Sequence, residues 1–90
     1  MNKYEQELKA IIARLMKKPR NRERAFQRLR KKLNESARSF EQAAEKKENL
    51  YRDALNEVVG REIAFLRATA AEERARIKEL DLLNASDWTP

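Results

Sequence analysis

Val59-Gly60-Arg61-Glu62 contains the only glycine of the 90-residue chain. How it is read decides the fold, because no other residue between Asn21 and about Leu83 breaks a helix. If Gly60 is absorbed, residues 22–83 form one rod of roughly 90 Å at about 1.5 Å per residue. The penalty is small, about 1 kcal/mol relative to Ala. The immediate neighbours hold no Asn, Asp, Ser or Pro, and helix connections usually take about 2–8 residues. That favours an unbroken or merely bent helix. Against it, the apolar face after Gly60 (Ile63, Leu66, Ala70, Ile77) is centred roughly a fifth of a turn from the face before it, at about 100° per residue. A break would let the outer helices fold back along the middle one as a three-helix bundle. The expected fold is therefore all-α: an N-terminal antiparallel helical hairpin followed by a long helix, bent or broken near Gly60, with the three-helix bundle as the alternative.

Upstream of Gly60 the apolar positions Phe26, Leu29, Leu33, Ala37, Phe40, Ala44, Tyr51, Leu55 and Val58 step by 3, 4 or, once, 7 residues. This is one stripe of a helix. Leu33, Ala44, Leu55, Leu66 and Ile77 recur every 11 residues, a ladder that favours nearly straight packing over a left-handed supercoil. Glu48–Arg52, Glu57–Arg61 and Glu72–Arg76 are i,i+4 pairs with the acid first, each worth about 0.2–0.5 kcal/mol on an exposed face. Asn21 is a good N-cap for this helix.

A shorter helix precedes it, from about Lys3 to Lys18. Asn2 can cap it, with Glu5 three residues on. Tyr4, Leu8, Ile11, Ile12, Leu15 and Met16 form its apolar face. Pro19 stops it, since the residue before a proline is pushed out of the α region. In either reading this helix folds back on Phe26–Phe40. Residues 1–83 make a single domain and residues 84–90 a tail.

Composition agrees. Ala, Glu, Lys, Leu and Arg supply 56 of the 90 residues, more than the ~50 % that marks long helices. One Gly and two Pro exclude a barrel of tight turns and a Gly-rich phosphate loop. The absence of Cys and His excludes a disulfide framework, a thiolate zinc site, a cysteine nucleophile and a histidine base. The few hydroxyls have no base to activate them. No enzymatic activity, cofactor, metal or small-molecule substrate is expected. No apolar run exceeds that of Ala10–Ala13, so no membrane span or secretory signal is expected and the cytoplasm is the default location. Only 24 residues are large apolar ones. A lone chain of this size is marginal, so a homodimer, or docking on a larger protein, is expected.

The charge is uneven. The chain carries +6 overall, but residues 1–32 hold 12 basic and 3 acidic side chains, net +9. Arg14, Lys17, Lys18, Arg20, Arg22, Arg24, Arg28, Arg30, Lys31 and Lys32 crowd the expected hairpin tip. Arg20, Arg24, Arg28 and Lys31 fall on one ridge opposite Phe26, Leu29 and Leu33. Guanidinium forks bind phosphate oxygens bidentately and displace counterions, so the expected partner is a nucleic-acid backbone. An acidic protein surface and a merely solvated face are the alternatives. Gln27 is the only amide among the exposed ridge positions, which favours backbone contact over base reading. Membrane-surface binding would require Ile11, Ile12 and Leu15 to leave the hairpin core. In composition, Arg20–Lys32 loosely resembles the arginine-rich RNA-binding helices of phage antiterminators. The likeness covers 13 residues and assigns no family, because this segment also carries a regular core stripe.

A second candidate surface is the apolar belt of Leu50, Tyr51, Ala54, Leu55, Val58, Val59, Ile63, Phe65 and Leu66. It spans more than half the helix circumference, wider than one packed neighbour requires. Trp88, the only tryptophan, is of the type enriched among binding anchors, or it closes over the helices as a lid. Tyr51, Leu55, Val58, Val59, Ile63, Leu66 and Trp88 are the candidate protein interface. In size and helical simplicity the chain resembles the small accessory proteins of phages and mobile elements, which implies an adaptor or inhibitor docking on a larger machine.

Overall fold

The computed structural model describes residues 3–16 and 18–90. Helix α1 spans Glu5–Leu15, α2 Arg22–Leu50 and α3 Glu57–Ala85, with single 3₁₀ turns at Pro19–Asn21 and Arg52–Ala54. No strand occurs among the described residues. The two 29-residue helices α2 and α3 lie antiparallel, and α1 covers one end of the pair. The molecule measures 53 × 24 × 18 Å.

The long helix is broken, and six residues make the break, Tyr51–Asn56. Gly60 stands instead in the first turn of α3, with its N–H donating to Asn56 O at 2.9 Å. The cap is Asn56, whose side-chain oxygen accepts from the Val59 N–H at 3.0 Å. This satisfies one of the orphan donors that every helix start exposes. Folding back hides two stripes that a rod would leave in water. Ala44 of α2 meets Val59 and Ile63 of α3, with Leu66 packed alongside. The 11-residue ladder fails at one rung: Leu55 falls in the break and is 53 % exposed.

The main core lies at the other end. Tyr4, Leu8 and Ile12 of the N-terminal segment pack on Phe26, Leu29 and Leu33 of α2 and Ile77, Leu80 and Leu83 of α3. Phe26, Leu8, Ile12 and Leu80 are the largest fully buried side chains. The expected Asn2 cap lies outside the described residues. The carboxylate of Glu79, on α3, accepts from the Lys3 N–H at 2.9 Å and the Tyr4 N–H at 2.6 Å, placing negative charge at the start of α1 where the helix dipole favours it. Arg76 reinforces the junction. Its guanidinium stacks 4.4 Å from the Tyr4 ring centroid and pairs with Glu7 and Glu73. Burial pulls the Arg76 pKa down, but the two carboxylates outweigh it and the net direction is upward.

Candidate functional site

The expected basic tip is the end where α1 passes through the 3₁₀ turn into α2. Arg14, near the end of α1, Lys18 and Arg20, in the connection, and Arg24, Arg28, Lys31 and Lys32, on α2, are all exposed. None of the seven makes an ion pair or a side-chain hydrogen bond with any described residue. Arg24, Arg28 and Lys31 follow at helical spacing on the α2 face turned away from Phe26 and Leu29, which are buried. Successive members of such a row lie about one turn, ~5.4 Å, apart along the axis. Arg24 and Arg28, with Leu15, Asn21 and Ala25, line a notch of about 200 Å³. The side chain of Asn21, the α2 N-cap, makes no cap bond.

Three of the expected cations stand apart from this group. Lys17 lies outside the described residues. Arg30 pairs with Asp81 of α3 at 3.0 Å. Arg22 is turned inward to the end of α3. Its guanidinium donates to the main-chain oxygens of Leu83, Asn84, Ser86 and Trp88 and to Asn84 Oδ1, at 2.9–3.3 Å. It also stacks 4.6 Å from the Phe26 ring centroid. The last carbonyls of a helix have no partner within it, and a planar fork of five N–H groups supplies several at once. Arg22 is therefore a C-terminal clamp, its guanidinium turned away from the exposed cations.

The same clamp positions the tail. Trp88 is half-buried against the main core, with the Lys9 ammonium 5.4 Å from its ring. It serves as the lid and not as a free anchor. Of the other expected interface residues, Val59 and Ile63 are buried between α2 and α3, so they belong to the intramolecular seam. Tyr51, Leu55 and Val58 are exposed, and Leu66 is half-buried. Three further residues of the belt join them on the surface, Ala54, Leu50 at 72 % and Phe65 at 68 % exposure. The exposed residues of the belt thus gather at the turn between α2 and α3, at the opposite end from the cations, where Leu82 of α3 is 57 % exposed beside Asp81.

No family model, curated protein or solved structure matches the chain.

No cluster of three or more His, Cys, Asp or Glu able to hold a metal occurs among the described residues. None of their helices is long and apolar enough to cross a membrane. What the basic end can do chemically is neutralise a polyanion. It presents row-spaced point charges and guanidinium forks beside a notch of about 200 Å³.

Proposed function

We propose that this is a non-enzymatic helical protein whose basic end contacts the backbone of a nucleic acid. The observation that carries the reading is the set of seven exposed cations with no carboxylate partner among the described residues, in a molecule whose other arginines are mostly paired. Arg30, Arg61, Arg67, Arg74 and Arg76 all have ion-pair partners of their own. Positive charge left unpaired at one end raises the local concentration of a polyanion and steers its approach. An acidic protein surface fits less well. Protein interfaces are anchored by a desolvated core of aromatic and aliphatic side chains. From Lys18 to Lys32 the exposed positions among the described residues are Lys, Arg, Glu and Gln.

The test is binding of the whole chain to mixed-sequence duplex DNA and to single-stranded RNA as salt is raised. Seven phosphate contacts would give a log–log slope near −6 on duplex and near −5 on a single strand. Arg24→Glu, Arg28→Glu and Lys31→Glu together should flatten the slope by roughly 3, whereas Arg61→Glu, at the opposite end, leaves it unchanged. No detectable binding at about 50 mM salt overturns the reading.

A further inference from the structure

We infer that the turn end of the α2–α3 pair is a self-association face whose occupant is a second copy of this chain. Helix α1 sits in the groove between α2 and α3 but fills only part of it. At 1.5 Å per residue it covers about 16 Å of a groove about 43 Å long. Its start is fixed beside Arg76 and Glu79. Beyond that point the same ridges continue, at steps of three and four, to residues that no third helix among the described residues covers. On α2 they run through Phe40, Ala43 and Lys47 to Leu50. On α3 they run through Phe65 and Glu62 to Val58. The two ridges face the same side, because Lys47 and Glu62 pair across the groove. Shallow depressions of about 350 and 330 Å³ flank that pair, and Leu66 lines both.

The size of the bare surface suits a copy of the chain. Leu50, Tyr51, Leu55, Val58 and Phe65 are 38–72 % exposed and together present on the order of 500 Å² of apolar surface. A stable dimer takes about 800 Å² from each partner, about 56–65 % of it apolar.

Charge selects the occupant. Residues 43–67 hold five basic and five acidic side chains, so this end is neutral and of mixed sign. The basic ends of two copies repel one another; the turn ends do not. In a two-fold contact each surface meets itself, so the Lys47–Glu62 pair of one copy faces the reversed pair of the other. The result is a four-helix segment with a basic tip at each extremity.

Sedimentation equilibrium of the whole chain without nucleic acid tests this. At about 100 µM, well above a micromolar dissociation constant, the mass should be twice 10.6 kDa. Phe65→Asp or Leu50→Asp should raise the dissociation constant at least about 100-fold. Both positions are exposed in the single chain, so helical circular dichroism should be retained. Because the chain has no cysteine, Val58→Cys should cross-link two copies on oxidation and Arg28→Cys should not. A monomer at the highest concentration overturns the inference. So does a dimer that Phe65→Asp leaves intact, cross-linking through position 28 instead of 58, or a chain that stays monomeric while this face takes up a different protein.

Discussion

The Nε–H of Arg22 donates to the main-chain oxygen of Trp88 at 2.9 Å, tying the first residue of α2 to the tail that follows α3. The same guanidinium serves three other carbonyls and an amide oxygen. Arg22→Ala should destabilise the fold by about 2–3 kcal/mol, because several partly buried acceptors lose their donor together. Arg22→Lys should recover little of it, since an ammonium cannot reproduce the fork. Denaturant titration measures the loss. Trp88 fluorescence, the sole tryptophan signal, should shift to the red as the lid loosens.

Two phenylalanines separate the ends of the molecule. Phe26 is 2 % exposed and Phe65 is 68 % exposed. Phe26→Ala should cost about 3–5 kcal/mol, the transfer and cavity terms of a full core aromatic. Phe65→Ala, measured at concentrations low enough to keep the chain monomeric, should change stability by less than about 0.5 kcal/mol. Equal costs at the two positions would contradict the packing.

Gly60 is helical, its φ is not positive, and a Cβ placed on it meets nothing within 4 Å. Gly60→Ala should therefore stabilise the protein by about 0.5–1 kcal/mol, through lower entropy in the unfolded chain and a better helix former in α3. For a domain this small that is a rise in Tm of roughly 2–8 °C, at matched protein concentration.

Much of the fold is legible in the residues themselves. The 3- and 4-residue steps of Leu8, Ile12, Phe26, Leu29 and Leu33 mark positions that are all buried, because amphipathic period alone determines which side of a helix faces a neighbour. Asn21 stands at the N-cap position of α2 where the sequence places it, but its side chain makes no cap bond. The break between α2 and α3 was the harder feature. The only glycine marks position 60, whereas the break ends at Asn56, whose side chain receives the Val59 N–H. The rotation of the apolar face past Gly60 was a true sign of a fold-back, but periodicity does not locate a loop. Ion pairs were partly legible. Glu57–Arg61 forms within its helix, but Glu48 reaches across to Arg67, and Arg76 takes Glu73 and Glu7 in place of Glu72. Long-range partners depend on which helices meet. The same holds for the binding residues: exposure of Arg24 and Arg28 follows from the helix wheel, but the inward turn of Arg22 depends on where α3 ends.

Glu41 and Arg74 form a two-point contact between α2 and α3, with N···O distances of 2.7 and 3.3 Å. The Arg74 hydrogen bonds hold the Glu41 carboxyl below its ordinary value, against a smaller opposing effect of desolvation. With the folded pKa below the unfolded one, the unfolded chain binds more protons here in acid. The contribution of the pair is complete at neutral pH and is lost as pH falls through the ordinary carboxylate range to the depressed value. Glu41→Gln should accordingly flatten the fall in stability between about pH 5 and pH 2, read from urea midpoints at each pH. High salt should shrink the difference, because both groups lie at the surface.

The short reach of α1 divides the scaffold into a thick half and a thin half. Amides beside Phe26 and Leu80 lie where all three helices meet and should open only when the whole chain does. Those near Leu50 and Val58 are held by two helices and a six-residue link, and they can part in a smaller excursion that leaves the thick half standing. Deuterium should enter the thin half first. A second subunit laid over it would slow that entry selectively, so the rate at which one region trades its protons with solvent becomes a gauge of assembly.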